Sequence, residues 1–272
     1  MDSAGEKVSW RIDRPMSAGR LLVHVPHASI RIPSAERAAI LLDDDELARE
    51  LAVMTDWHTD RIAAQAAAQS GSRVTVFTNT LSRLVVDPER FPDESEVMLA
   101  VGMGAVYSRT STGARLRIDD PAERDRLIAD VFVPYADAFA AEVDRILDCE
   151  GLCTVIDVHS YAKEPLPYEL DQDALRPGVC IGTDPFHTPS NVVDAVRAAF
   201  SEIGASLLLN TPFQGTYVPT RHFHIDKRVR SVMVEIRRDL YLDDNQDADE
   251  QAVREIASRL ANLFDRLADP RP

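Results

Sequence analysis

The chain has 272 residues, 45% apolar and 28% charged, enough to bury a sizeable core and ordinary for a globular protein. A formal net charge of −15 argues against nucleic acid or an anionic membrane surface as the main partner, but leaves room for a local basic pocket that takes an anion. No apolar run reaches membrane length, residues 1–20 lack a signal-peptide core, and three cysteines (Cys149, Cys153, Cys180) suit core thiols in a reducing cytoplasm better than a disulfide framework.

Residues 1–19 are polar and weakly patterned, and read as a loose N-terminal arm ahead of a single domain over 20–272. "RLLVHVPH" is an apolar run closed by proline, the mark of a strand. The alanine-rich stretch 34–71 reads as helix up to Gly71, with a break on offer at Thr55-Asp56, where a side chain could cap a new helix. "SRVTVFTNT" is a second strand, and residues 81–118 are loop-rich. A long amphipathic helix runs from Asp120, its cap, to Gly151, its stop. "LCTVIDVHSY" and "GVCIGTD" are the third and fourth strands, followed by a helix between Pro189 and Gly204. "SLLLNTPF" and "VRSVMVEIRR" are the fifth and sixth, and 245–268 is the closing helix. Apolar strands separated by helices indicate an α/β fold, with a mostly parallel or mixed sheet covered by helices on both faces.

Ligands bind such sheets at the carboxyl ends of the strands, and polar residues gather at those ends here. His24 and His27 end the first strand, and Asn79 the second. Asp157, His159 and Ser160 end the third, and Glu235 lies near the end of the sixth. Two histidines and a carboxylate delivered by different strand ends are the usual donor set of a catalytic zinc site with one open position. His27 and His159 fill the histidine roles, and each alone could equally be a satisfied strand-end hydrogen bond. The third ligand is Asp56, if the helix breaks there; otherwise Asp56 is a cap. Asp157 shares a strand face with His159 and can orient its ring. His24 alternates with valines and reads as a buried structural histidine, and in an unbroken helix His58 faces the core. Glu235, a carboxylate inside an apolar strand, is either a general base with a raised pKa or half of an internal pair with Arg237 or Arg83. Arg83, Arg90 and Arg221, with Asn79, are candidates to hold a carboxylate substrate, although each arginine alone could be a surface ion pair.

The segments "HVPHASIRIP", "TDWHTDR", "SRLVVDPER", "VIDVHSY", "GTYVPTRHF" and "VEIRRDLYLDD" resemble, in order and spacing, the N-formylglutamate amidohydrolase family. The resemblance spans roughly residues 20–265 and implies a fold similar to zinc-dependent carboxypeptidases. It implies hydrolysis of N-formylglutamate to formate and glutamate, a step of histidine degradation, in a small-molecule enzyme that could be oligomeric. Carried over by position, His27, Asp56 and His159 would ligate zinc and Glu235 would be the general base. Arg83 and Arg90 would bind substrate or polarise its carbonyl, and Arg221 with Tyr217 would hold a substrate carboxylate. Two positions depart from the family: Gly215-Thr216 replaces a glycine pair, and Glu89 in Asp87-Pro88-Glu89-Arg90 replaces an amide. Glu89 puts an acid where the substrate's own acid would approach. The rival activities are a carboxypeptidase-like or deacylase reaction on another N-acyl amino acid. The non-enzymatic rival is a carboxylate-binding protein on the same fold.

Overall fold

The run Leu21–Val25 is buried at every residue and forms strand β2. A strand covered on both faces has no reason to alternate in polarity, and this one does not until His24. The computed structural model describes residues 8–201, 205–243 and 245–268, and in it β2 belongs to a seven-stranded mixed sheet. The other strands are β1 (Trp10–Asp13), β3 (Val74–Asn79), β4 (Cys153–Tyr161), β5 (Val179–Gly182), β6 (Leu207–Leu209) and β7 (Val229–Arg237), in spatial order β1-β3-β2-β4-β7-β5-β6. Strands β3, β2, β4 and β7 run parallel, β1 is antiparallel at one edge, and β5 is antiparallel to β7. The α/β class and mixed sheet expected from the sequence are therefore observed.

The sheet has two cores, divided by the strand pleat. Leu21, Val23 and Val25 of β2, with Ile156 and Val158 of β4, face the helices α3 (Thr59–Gln69), α6 (Ser190–Phe200) and α7 (Glu250–Ala268). Leu22 and Val155 face the opposite way, against Tyr135, Phe139 and Val143 of α5 (Val133–Glu150). Each large apolar side chain buried this way contributes about 1.5–3 kcal/mol.

Three differences from the sequence reading bear on the site. First, part of the expected loose arm is a strand, because Trp10–Asp13 pairs with β3 and Trp10 packs on Phe77; residues 1–7, like Gly204, lie outside the described residues. Second, the stretch 34–71 is three helices rather than one: α1 (Ser34–Ala38), α2 (Asp44–Met54) and α3. Thr55 turns extended after α2, and His58 adopts a left-handed conformation, φ 62°, to start α3. This break takes His58 out of the helical stripe and buries Asp56 at the strand ends. Third, the helix expected from Asp120 to Gly151 is continuous but widens into a π-turn over Ile128–Phe132, between α4 (Pro121–Leu127) and α5. Pro134, which offers no N–H, sits just beyond that turn.

Candidate active site

The register of the parallel strands builds the site. In the β2–β4 ladder His24 stands opposite Asp157, and in the β4–β7 ladder His159 stands opposite Glu235. His24, Asp157, His159 and Glu235 therefore lie on one face at the carboxyl ends of adjacent strands. His27, just past Pro26, joins them with its ring centre 5.1 Å from that of His159. The helix break adds Asp56, anchored by its backbone N–H to the His27 carbonyl at 3.0 Å.

Asp56 Oδ2 lies 3.0 Å from His159 Nδ1 and 3.6 Å from His27 Nδ1. The opposite nitrogens also meet carboxylates: His27 Nε2 is 2.9 Å from Asp87 Oδ1, and His159 Nε2 is 3.1 Å from Asp157 Oδ1. Glu89 approaches from that second side, 3.2 Å from His159 Nε2, 3.7 Å from His27 Nε2 and 3.4 Å from His24 Nδ1. Two triads there, His27–Glu89–His159 and His24–Glu89–Asp157, are close enough to share an ion. His27 Nδ1, His159 Nε2, Glu89 Oε1 and Glu235 Oε2 are buried without a hydrogen-bond partner. Buried polar atoms are almost always paired, so four orphans among these neighbouring side chains mark a place for a ligand.

Electrostatics separates these acids. Burial raises the Asp56 carboxyl, but hydrogen bonds and charge from His159 and His27 outweigh it and hold the group well below the usual range. Asp87 and Glu89 behave alike: burial is overcome by Arg83 and His27 for the first, and by His159, His24 and His27 for the second. Glu235 is the exception. Burial pushes it up to about 7, opposed by the charge of His159 and reinforced by that of Asp56. Neither Arg237 nor Arg83 pairs with it, since Arg237 is bonded to Asp239 and the Arg176 carbonyl and Arg83 to Asp87. The internal-pair alternative for Glu235 thus has no support in the geometry.

The site opens into a cleft of about 740 Å³, lined among others by Arg83, Arg90, Tyr217 and Arg238. Arg83 is gripped by Asp87 at 2.7 Å and by the Tyr107 hydroxyl at 3.1 Å. Arg90 keeps looser company, 3.7 Å from Asp87 and 3.9 Å from Glu96, and its buried Nε has no partner. Tyr217 donates its backbone N–H to Asp157 Oδ2 at 3.2 Å, and its ring covers His24. Two expected substrate residues are elsewhere. Arg221 is half exposed and paired with Asp144 of α5 at 2.6 Å, so its side chain is turned to α5 although its loop neighbours Thr220 and Phe223 line the cleft. Asn79 is buried, its amide donating to the Pro26 carbonyl and its oxygen accepting from Leu81 N, so it shapes the turn after β3. His24 is the buried structural histidine expected, bonded to Asp157 at 3.0 Å and to the Tyr135 hydroxyl at 2.7 Å. Of the three cysteines, none in a disulfide, Cys153 and Cys180 are core thiols, whereas Cys149 is exposed at the end of α5.

Arg238 was not singled out in the sequence. It donates to Asp56 Oδ1 at 3.1 Å and to the Val53 carbonyl at 2.7 Å, fixing the helix break to the end of β7. The signal was available, since Arg238 follows β7 immediately and strand ends were the criterion that picked Glu235. Asp87 entered the sequence analysis only as part of Asp87-Pro88-Glu89-Arg90, and its contact with His27 could not be seen without the fold.

The model of the family described as N-formylglutamate amidohydrolase matches residues 19–242. An N-formylglutamate deformylase of Pseudomonas putida is 27% identical over 239 residues, covering 83% of each chain. One from Pseudomonas aeruginosa is 28% identical over 233 residues, covering 82% of each. Among solved structures, an N-formylglutamate amidohydrolase from Ralstonia eutropha JMP134 superposes with a TM-score of 0.77 at 20% identity, covering 96% of this chain and 97% of that one. A gene product from Agrobacterium tumefaciens gives 0.68 at 21% identity, covering 94% and 93%. With strand-end histidines, flanking carboxylates and a family match over most of its length, this chain belongs to the N-formylglutamate amidohydrolase family.

Proposed function

We propose that the protein is a metal-dependent amidohydrolase that cleaves the amide C–N bond of an N-formyl amino acid of the N-formylglutamate type, releasing formate and the free amino acid. The family match supports the reaction class. The observation that carries the mechanism is the pairing of two imidazoles, flanked by carboxylates, with a buried Glu235 raised to about 7.

The chemistry of the donors, two imidazoles with carboxylates beside them, suits a zinc ion, and His27 and His159 with Glu89 lie close enough to share one. His27 Nδ1 is buried, unpartnered and 3.6 Å from Asp56 Oδ2, and His159 Nδ1 is 3.0 Å from the same oxygen. His27, Asp56 and His159 would hold the ion through that side. This leaves His27 Nε2 bonded to Asp87, the arrangement that fixes a ligating imidazole, while His159 Nε2 lies 3.1 Å from Asp157 Oδ1 without a hydrogen bond. Using Glu89 as third ligand would turn the Nε2 atoms to the ion and strip His27 of its 2.9 Å bond to Asp87. When bound, zinc supplies Lewis acidity at the carbonyl and lowers the pKa of water beside it. Glu235 takes a proton from the attacking water as its oxygen joins the formyl carbon. Arg83, held rigid by Asp87 and Tyr107, stabilises the negative charge that develops on the carbonyl oxygen. Glu235 then passes its proton to the leaving nitrogen as the C–N bond breaks. Arg90, with Tyr217 beside it, receives the substrate carboxylate.

The test is formate release from N-formylglutamate by metal-stripped and zinc-reconstituted protein. Activity restored by zinc is expected; equal activity in both forms would sink the metal-dependent scheme.

A further inference from the structure

A carboxylate can meet an ion through one oxygen or through both, and whatever holds the second oxygen decides which. Asp56 is held at every polar atom. Its backbone N–H donates to the His27 carbonyl at 3.0 Å, and its own carbonyl accepts from Thr59 Oγ1 at 2.8 Å. Of its carboxylate oxygens, Oδ2 faces the imidazoles, 3.0 Å from His159 Nδ1 and 3.6 Å from His27 Nδ1. Oδ1 accepts instead from Arg238 Nη2 at 3.1 Å. That bond is charge-assisted and buried, with the Arg238 side chain 11% exposed, so giving it up would strand a donor out of water.

The guanidinium is itself fixed. Nη1 donates to the Val53 carbonyl in the last turn of α2 at 2.7 Å, Nε to the Ser160 hydroxyl at 3.2 Å, and Nη2 also to the Ser160 carbonyl at 3.1 Å. Arg238 therefore ties together the helix break that carries Asp56, the residue after His159, and the end of β7, three residues beyond Glu235. It lines the cleft, yet all three of its side-chain nitrogens are already engaged, which suits an anchor better than a receptor for substrate. The same division recurs at Asp87, where Arg83 takes Oδ2 at 2.7 Å and Oδ1 is left to His27 Nε2 at 2.9 Å. In each case an arginine occupies one oxygen and turns the other toward a histidine.

We propose that Arg238 is a positioning residue that makes Asp56 a one-oxygen ligand and so keeps a coordination position of the ion open for water or substrate. A catalytic zinc site uses three protein donors and leaves the fourth place free, and a second carboxylate oxygen would crowd that place. The inference rests on the metal-dependent reading above and assigns the residue that shapes its site.

The test replaces zinc by cobalt(II), whose visible absorption is strong for a tetrahedral ion and weak for an octahedral one. The cobalt-loaded parent should absorb strongly. Arg238→Met frees Asp56 Oδ1 to join the ion, so absorption should weaken while the metal stays bound. In the zinc form, kcat per bound metal should fall about ten-fold or more, the usual cost of losing an outer partner of a ligand, with KM for N-formylglutamate close to the parent's. Arg238→Lys keeps the charge and a donor, and should recover part of both the spectrum and the rate. An unchanged spectrum and rate per bound metal in Arg238→Met, with only a lower melting temperature, would reduce Arg238 to a structural tie and overturn the inference. A weak, octahedral spectrum in the parent overturns it too, and needs no variant to fold. In both cases a zinc-dependent parent leaves the amidohydrolase reading intact. A parent that binds no metal overturns both readings.

Discussion

Two groups of histidines sit near the strand ends, and they are built on opposite principles. In the outer group, His187 is bonded through Nδ1 to the Val229 carbonyl at 2.7 Å and through Nε2 to the His224 backbone N–H at 2.8 Å. His222 meets Asp144 and His224 meets Asp184, each at 2.8 Å, and Phe223 stacks on His224. Each of these three rings has a hydrogen-bond partner. In the inner group, His27 and His159 each keep one buried nitrogen without a partner, beside a buried Glu235 oxygen in the same condition. Satisfied histidines hold loops in place; unsatisfied ones, surrounded by carboxylates, are left for a ligand. Histidine count and spacing do not distinguish "HVPH" from "RHFH". The fate of each ring nitrogen does.

Removing an inner histidine tests the contrast hardest. His159→Ala or His27→Ala should abolish metal retention and lower kcat/KM by more than about a hundred-fold, since even outer partners of a ligand cost 10–100-fold. Elemental analysis of the purified variant checks this, and full metal occupancy in either would remove the basis of the site. Glu235→Gln should retain metal but lower kcat by about 10²–10⁴-fold, the usual worth of a general base. It also carries a stability signature. A carboxyl whose folded pKa is raised from 4.5 to about 7 binds a proton more tightly folded than unfolded. Its contribution is therefore fully present below pH 4.5, is lost as pH rises toward 7, and above 7 the ionised form remains as a burial cost. Metal-free Glu235→Gln should then melt higher than the parent at pH 8, by up to about 3 kcal/mol, with no such gain at pH 4. The kcat of the zinc-loaded parent should rise with pH as the base ionises, with a midpoint below the metal-free one because the ion's charge favours the carboxylate. Asp87→Asn comes next. It weakens the bond that fixes His27 and loosens Arg83, so zinc affinity should fall about 10–100-fold, measurable by competition with a chelator.

The sheet was legible because strands buried on both faces are apolar throughout and stand out from the amphipathic helices. The strand-end rule then pointed to His27, His159 and Glu235, because a polar residue ending such a strand is conspicuous. β1 was missed since an edge strand with the exposure pattern of Trp10–Asp13 carries no apolar run. Asp56 stayed undecided in the sequence because it depends on whether a helix breaks, and Arg238 anchors that break from 182 residues away. Arg221 and Asn79 were misdirected for a related reason: sequence shows that a residue lies near a strand end, but not which neighbour its side chain meets first. Asp144 captures Arg221, and the Pro26 carbonyl captures Asn79.

The smallest effect on chemistry should come from the outer group, and it completes the contrast. His187 is 1% exposed and joins the start of β7 to the His224 turn through both ring nitrogens. His187→Ala leaves the Val229 carbonyl and the His224 N–H buried or half-buried without those partners, a cost of about 1–3 kcal/mol. His224 itself holds a left-handed backbone, φ 55°, which the bond from its N–H to His187 helps maintain. The variant should therefore melt at lower temperature while keeping its zinc and a kcat within about two-fold of the parent, because no ring in this group is offered to a ligand. KM is free to shift modestly, since Phe223, whose ring stacks on both His187 and His224, lines the cleft. A ten-fold loss of kcat with full zinc occupancy and an unchanged melting temperature would put His187 into the chemistry and erase the boundary between the two groups.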